Sequence, residues 1–313
     1  MPSSLRAVSR TQGNNEDIKS GGIQPTGFTL AFEEVPVLVQ AFRRMVREEA
    51  YDVCEMALTT YLCARAHGKR FIGLPIFLVR GFHHGAVLTS MKAGIQNPKE
   101  LEGRKVGVNR GYTVTTGVWA RGILQDEFGV DLSKITWVLR GDEHVAEYRP
   151  PSNVVPIPSG LEMKDLLLSG ELSAVIGAEI EHPEIRPLIP EPSDAGFAAL
   201  KERALWPINH LIVVREELLA QHPTLAAALF EAFAESKRRY VARLREGRIE
   251  RPTDIDRLHT RVADLIGDPL PYGIEPNRRD LEELIRHAVA QRILDRPVAV
   301  EDVFAPSTRN LAG

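Results

Sequence analysis

The sequence predicts an α/β protein of two lobes, each built on a mostly parallel sheet flanked by helices, with a ligand cleft between the lobes. Two observations carry this prediction. Short β-rich runs alternate with helical stretches along the chain, which is the pattern of parallel sheets covered by helices. The chain also has 313 residues, 43% of them hydrophobic, and this length exceeds that of a typical domain with a single hydrophobic core.

The strand candidates are short apolar runs bounded by polar or turn-forming residues. They cover residues 29–35, 51–54, 71–79, 85–89, 105–108, 136–138, 174–176 and 211–214. Helical patterns fall between these runs, so consecutive strands are expected to be joined by helical crossovers.

Three segments carry helix signals. A helix is expected to begin at Asn97, because Asn97 can cap it, Pro98 suits the first turn and Glu100 can complete a capping box. Residues 222–239 place large apolar side chains at helical spacing, which predicts an amphipathic helix against a sheet. A charged helix is predicted around residues 278–293.

Two long apolar stretches are interrupted by polar residues. The first covers residues 71–88 and is broken between Arg80 and Gly85, and the second carries polar residues just before the strand at 211–214. We interpret them as the two crossings between lobes. The first lobe is then discontinuous, formed by residues 1–80 and 205–313, and the second lobe is formed by residues 81–204.

Composition excludes several classes of partner. The formal charge is −3, with 39 basic and 42 acidic residues mixed along the chain, which predicts no binding of nucleic acid. The N-terminus lacks the apolar run of a signal peptide and no segment approaches the ~18–20 apolar residues of a membrane span, so we expect a cytoplasmic protein without membrane insertion. Cys54 and Cys63 are unsuited to a disulfide and are predicted to be buried thiols. Assembly into a homo-oligomer is left open.

Five segments carry a resemblance to a known family. They are Asp52-Val-Cys-Glu-Met-Ala-Leu-Thr-Thr-Tyr-Leu, Pro75-Ile-Phe-Leu-Val-Arg-Gly-Phe-His-His, Gly107-Val-Asn-Arg-Gly-Tyr-Thr-Val-Thr-Thr-Gly-Val-Trp-Ala-Arg-Gly, Trp206-Pro-Ile-Asn-His and Tyr272-Gly-Ile-Glu-Pro-Asn. With these segments the chain resembles the 4,5-dihydroxyphthalate decarboxylase-like family, which has the type II periplasmic-binding-protein fold of ABC-transporter solute receptors.

The resemblance implies a decarboxylase that needs no cofactor and acts on a hydroxylated aromatic acid, as in the conversion of 4,5-dihydroxyphthalate to 3,4-dihydroxybenzoate and carbon dioxide. The alternative is an ABC-transporter-type solute-binding protein that captures a small aromatic or pyrimidine-like ligand without changing it. Fold alone does not separate the two classes. The expected partner is a small aromatic carboxylate.

Glu55 is the first candidate for chemistry. It follows a predicted strand and precedes a helix, so it is expected at the carboxyl end of a sheet, where open α/β folds bind ligands. Thr59 lies one turn further along the same helix face and is included as a substrate contact. The alternative is a glutamate that interacts only with the helix dipole.

Arg80 and the two adjacent histidines form a second candidate group. Successive residues of an extended strand face opposite sides, so His83 and His84 cannot both face a ligand. The resemblance assigns the ligand role to His84. Arg80 offers a planar fork for a carboxylate, and the alternative is an arginine in an ion pair beside a structural histidine.

A Gly- and Thr-rich turn between a strand and a helix forms the third candidate group. Its amides and hydroxyls, with the helix dipole, predict an anion site, while the alternative is helix capping by threonine. The spacing does not match a Walker A loop, so nucleotide binding is not expected. The candidate substrate contacts here are Arg110, Tyr112, Thr113, Thr115, Thr116 and Trp119.

The remaining candidates lie near the second crossing and in the loops. Asn209 and His210 precede a strand, Glu179 follows one, and Arg10 lies in the first loop. Decarboxylation requires a general acid and a general base beside the ring. We assign these roles to His84 and Glu55 in either order, with His210 as an alternate acid. No metal site is predicted, since no segment has the spacing of a known ligand motif.

Overall fold

The computed structural model describes residues 3–313 and contains strands and helices in alternation along most of that range. The strands are β1 (Ser3–Val8), β2 (Phe28–Phe32), β3 (Val53–Ala57), β4 (Phe71–Arg80), β5 (Val87–Ser90), β6 (Lys105–Asn109), β7 (Thr136–Arg140), β8 (Val154–Pro156), β9 (Ala174–Ile176), β10 (Ile185–Pro187) and β11 (Ile208–Arg215). The α-helices are α1 (Glu16–Lys19), α2 (Leu38–Glu48), α3 (Leu58–Ala66), α4 (Thr115–Phe128), α5 (Met163–Ser169), α6 (Pro192–Arg203), α7 (Glu216–Gln221), α8 (Leu225–Arg245), α9 (Asp254–Ile266), α10 (Arg278–Ala290) and α11 (Val300–Val303).

The chain divides into two compact units. Unit 1 comprises the residues up to Arg80 together with Ile208–Glu282 and Val298–Gly313, and unit 2 comprises Gly81–Pro207 and Glu283–Pro297. The boundaries inferred from the sequence placed residues 283–297 in the first lobe, whereas these residues group with unit 2. The reason is a set of side-chain contacts to α4, which include the hydrogen bond from Arg121 Nε to Gln291 Oε1 at 2.8 Å.

Unit 1 contains a five-stranded sheet of order β2-β1-β3-β11-β4. β1 pairs in parallel with β2 and β3, whereas β11 runs antiparallel to β3 and β4, so this sheet is mixed rather than mostly parallel. Helices α2, α3 and α8 pack against it. Because β11 lies between β3 and β4, it places residues that are distant in sequence side by side.

Unit 2 contains a six-stranded sheet of order β10-β5-β9-β6-β7-β8. The four strands from β9 to β8 are parallel, and β5 and β10 continue the sheet in antiparallel pairings. Helices α4 and α5 pack on its strands. The two helix-flanked sheets confirm the predicted α/β class.

The helix signals have two different outcomes. The apolar spacing in residues 222–239 corresponds to α8, where Leu225, Leu229, Phe230 and Phe233 are buried. Asn97 does cap its segment by accepting the Lys99 N–H at 2.9 Å, but only one 3-10 turn follows, Pro98–Leu101. A left-handed glycine two residues later turns the chain into β6, so there is no room for a longer helix.

Within residues 3–313, no helix has both the length and the apolar character that crossing a bilayer requires.

Candidate active site

A carboxylate and a histidine meet on adjacent strands of unit 1. Ala57 of β3 lies opposite His210 of β11, so Glu55, two residues before Ala57, lies on the same face of the sheet as His210. Glu55 Oε1 is 2.6 Å from His210 Nδ1. The sequence placed Glu55 after its strand, whereas it lies within β3, and the antiparallel course of β11 forms the pair.

The surroundings of the pair hold it in one orientation. Glu55 is fully buried, and its second oxygen accepts the Arg10 N–H at 2.9 Å. The ring of Phe42 contacts the His210 ring edge to face, with 5.2 Å between centroids and 88° between planes. The His210 side chain is 19% exposed, against 1% for Glu55. Of the two groups, the imidazole is the one that outside molecules can reach, and the carboxylate orients it.

Three other residues of unit 1 lie near this pair in sequence. Thr59 is fully buried in the first turn of α3. Asn209 is half-buried and lies in β11 where the pairing with β4 shifts register between Ile208 and His210. Cys54, beside Glu55, is buried, and burial raises the pKa of its thiol well above the usual value, which argues against a nucleophilic role.

Arg80 is an internal ion-pair partner in unit 1. Its side chain is 1% exposed and forms a salt bridge with Asp280, while its Nη1 donates to Asn277 Oδ1 at 2.6 Å. Burial lowers the pKa of the guanidinium, and the charge of Asp280 works in the opposite direction. The geometry favours the ion-pair alternative over a fork for substrate.

His84 lies in unit 2 and has its own carboxylate partner. Its Nε2 is 3.2 Å from both oxygens of Glu127, which also forms a salt bridge with Arg203. Burial alone would raise the pKa of Glu127, but its contacts with His84 and Arg203 bring it below the usual value. His83 is also buried. Neither Glu127 nor Arg203 was singled out from the sequence.

The Gly- and Thr-rich turn does hold an anion, but that anion is the chain's own Glu143. One carboxylate oxygen accepts the Tyr112 N–H at 2.5 Å, and the other accepts from Thr113 N–H at 3.2 Å and Thr113 Oγ1 at 2.7 Å. The guanidinium of Arg121 is fully buried and stacks over the Tyr112 ring, 3.9 Å from the ring centroid. Two amides, a hydroxyl and a nearby cation are the groups expected of a carboxylate site.

The other unit 2 candidates are dispersed around this turn. Thr115 and Thr116 form the first turn of α4, Arg110 is exposed with a φ of 69°, and Glu179 is exposed beyond β9. Trp119 is fully buried against His287, with 5.6 Å between ring centroids.

The length of α4 separates the threonine turn from His84. Thr115 is the first residue of the helix and Glu127, the partner of His84, lies in its last turn. Twelve residues at a rise of 1.5 Å each place the two about 18 Å apart. The structure therefore does not bring His84 and the anion-holding turn together.

One cluster among residues 3–313 has distances typical of metal ligands. Donor atoms of Asp126, Glu283 and His287 lie within 4.8 Å of one another. The guanidinium of Arg286 bonds both carboxylates, with 2.7 Å to Glu283 Oε1. A cation of the protein thus already pairs with both carboxylates of the cluster.

The partners that the sequence did not reveal share one property. Asp280 is 200 positions from Arg80, Glu127 is 43 from His84, and Glu143 is 30 from Thr113. No local pattern links these pairs. The only sequence signal for any of them was the polar loop after β7, which carries Glu143.

The chain is similar to known proteins in both sequence and structure. No family model matches the chain. It is 30% identical over 309 residues to 4,5-dihydroxyphthalate decarboxylase of Comamonas testosteroni, covering 93% of this chain and 92% of the relative. It is also 30% identical over 193 residues to the enzyme of that name from Pseudomonas putida, covering 57% of this chain and 72% of the relative.

The solved structures that it resembles have much lower identity. The desulfurization enzyme DSZB superposes with a TM-score of 0.54 at 16% identity, covering 98% of both chains. The periplasmic aliphatic sulphonate binding protein SsuA of Escherichia coli superposes with a TM-score of 0.54 at 12% identity, covering 97% of this chain and 92% of SsuA. These likenesses establish the fold, which one enzyme and one binding protein share. The sequence relationship over nearly the whole length shows more: the chain belongs to the 4,5-dihydroxyphthalate decarboxylase family.

Proposed function

We propose that the protein is a decarboxylase of hydroxylated aromatic acids that resemble 4,5-dihydroxyphthalate, and that it needs no cofactor. The observation that carries the proposal is the Glu55–His210 pair, a partly exposed imidazole fixed by a buried carboxylate. This is the arrangement that a positioned proton donor requires. The two relatives named as decarboxylases support the same reaction class.

The reaction needs one proton and no redox partner. In an aromatic acid with a hydroxyl para to the carboxylate, the hydroxyl oxygen supplies electron density to the ring carbon that carries the carboxylate. A proton from His210 Nε2 forms the new C–H bond at that carbon. The bond to the carboxylate then breaks, its electron pair restores the aromatic ring, and carbon dioxide leaves. One proton is consumed for each carbon dioxide released, so electrons balance without an oxidant or reductant.

Glu55 acts on His210 rather than on the substrate. Both of its oxygens are engaged, one by His210 Nδ1 and one by the Arg10 N–H, and the side chain is buried. By accepting the Nδ1–H, the carboxylate leaves Nε2 as the nitrogen that exchanges the proton and stabilises the charge on the protonated ring. The assignment of His84 as the acid stays a prediction, and its pairing with Glu127 favours a structural role.

The test is turnover on a panel of hydroxylated phthalates and benzoates, with carbon dioxide release as the readout. We expect release with at least one hydroxylated phthalate, and a loss of roughly 10²- to 10⁴-fold in His210→Gln. His222→Gln is the matched control, because His222 is also a half-buried histidine of unit 1 with an edge-to-face contact, to Phe28 at 5.5 Å. Full activity in His210→Gln would refute the assignment.

A solute-binding protein is the second candidate function. The fold shared with SsuA, which is described as a sulphonate binding protein, supports it. Such a protein would show ligand-dependent melting but no carbon dioxide release from any member of the panel. His210→Gln would then change only the dissociation constant.

A further inference from the structure

The loop after β1, residues 9–15, is fixed from both of its ends. Asn15 Nδ2 donates to the Arg10 carbonyl at 2.9 Å and to Ser9 Oγ at 3.2 Å, and Asn14 Nδ2 donates to the Leu78 carbonyl at 2.8 Å. Ser9, Asn14 and Asn15 are all buried. The backbone of this loop therefore has a defined position relative to the sheet of unit 1.

Packing beneath the loop adds to this constraint. A Cβ atom on Gly13 would lie 2.3 Å from the ring of Tyr240, so only glycine allows the loop to lie this close to α8. Lys19 Nζ donates to the Ser9 carbonyl at 2.7 Å and holds the first residue of the loop from another side.

Arg10 is exposed, in contrast to the buried residues Ser9, Asn14 and Asn15 of the same loop. Its N–H donates to Glu55 Oε2 at 2.9 Å, which places its backbone next to the carboxylate that orients His210. Its side chain is exposed, and within residues 3–313 the guanidinium makes no hydrogen bond or ion pair. Arg80, by contrast, is buried in its salt bridge with Asp280. The backbone of Arg10 is thus fixed beside the carboxylate that orients His210, and its exposed guanidinium is bound to no carboxylate of the described chain.

We propose that Arg10 binds the carboxylate that the substrate keeps, and so selects aromatic acids with two adjacent carboxylates. This inference rests on the proposed function. The carboxylate that leaves must lose its charge as carbon dioxide forms, and a guanidinium bound to it would stabilise the ground state more than the transition state. A carboxylate that stays keeps its charge throughout, so an arginine bound to it stabilises substrate and transition state equally. The planar fork of arginine matches such a group in two-pronged geometry.

The experiment measures dissociation constants by calorimetry with phthalate and benzoate, which have no ring hydroxyl to drive decarboxylation. We expect the wild type to bind phthalate about 10- to 100-fold more tightly than benzoate, the usual worth of charge-assisted hydrogen bonds. Arg10→Gln should remove that preference by weakening phthalate binding alone, and Arg10→Lys should retain part of it. Arg70→Gln is the matched control, an exposed arginine of unit 1 in the turn before β4.

Several results would overturn the proposal. The wild type would contradict it by failing to bind phthalate or by binding phthalate no more tightly than benzoate. The Arg10→Gln variant would contradict it by keeping the preference for phthalate over benzoate or by losing affinity for both ligands equally. With a reactive hydroxylated phthalate, the same variant should raise KM and leave kcat within about threefold, because the lost interaction is uniform. If no substrate of the panel is turned over but Arg10→Gln still abolishes the phthalate preference, the proposed function fails while the role of Arg10 stands.

Discussion

Replacing Glu55 by glutamine tests whether the buried carboxylate controls the proton on His210. The carboxylate accepts two hydrogen bonds, from Arg10 N–H at 2.9 Å and from His210 Nδ1 at 2.6 Å. A glutamine of the same shape can accept with one end only. If its oxygen faces Arg10, its NH₂ group faces Nδ1, and the ring proton must move to Nε2. His210 could then donate from Nε2 only by becoming an anion, so it ceases to be an effective acid.

The opposite orientation of the glutamine places two donors against each other. Its NH₂ group would meet the Arg10 N–H in a site where the side chain is fully buried. A buried donor without a partner costs about 1–3 kcal/mol, so this orientation is disfavoured. Glu55→Gln should therefore fold with a loss of at most about 1–3 kcal/mol in the free energy of unfolding, while kcat falls roughly 10²- to 10⁴-fold.

The assay is steady-state carbon dioxide release, with chemical denaturation run in parallel on each variant. The double variant of Glu55→Gln and His210→Gln should be no slower than His210→Gln alone, because residues that act as one unit are not additive. Multiplicative losses in the double variant would show that the two residues act separately. A Glu55→Gln enzyme that keeps kcat within about threefold would refute the reasoning outright.

Two further predictions concern histidines outside the proposed pair. His259 is 4% exposed and burial lowers its pKa to about 4 from 6.5, so in this interval the unfolded chain binds a proton that the folded chain does not. The free energy of unfolding should therefore fall as pH falls from 6.5 toward 4, by at most about 2 kcal/mol between pH 7.5 and pH 5. Denaturation curves recorded at several pH values should show a smaller pH dependence of this free energy in His259→Gln. An unchanged pH dependence in the variant would contradict the assignment to His259. His84→Gln should lower the free energy of unfolding by about 1–3 kcal/mol, because the contact with Glu127 is lost, but it should keep turnover within about threefold. A turnover that falls 10²-fold or more without a loss of stability would instead support His84 as the general acid.

The elements that the sequence predicted are those whose signal lies within one segment. The apolar run of β4 and the helical spacing of α8 are both complete over about ten residues or more, and both are present in the structure. The N-terminal strand β1 was missed, because only its inner half is buried and its outer residues are polar or exposed. The apolar run of β3 was found, but its end was placed too early, since the charged Glu55 was interpreted as the residue between this strand and the helix that follows.

The prediction of the site was limited for a different reason. Glu55 and His210 were both named from the sequence, but as partners of His84, because strand order is not encoded in local spacing. Only the antiparallel insertion of β11 next to β3 makes the two residues neighbours. The pairing is a property of sheet topology, and a single sequence has no periodicity that reveals it.

The cations and donors chosen from the sequence differ in what they already bind, and this difference ranks them as ligand groups. Arg80 is paired with Asp280, and the amides of Tyr112 and Thr113 hold Glu143. A substrate carboxylate would have to displace an internal carboxylate to reach either one, and at Arg80 this breaks a buried ion pair, which costs about 3–5 kcal/mol in typical cases. Arg10 imposes no such cost, because its guanidinium is exposed and has no partner within residues 3–313. Substrate affinity should therefore depend far more on Arg10 than on Arg80, although the two side chains offer the same chemical group.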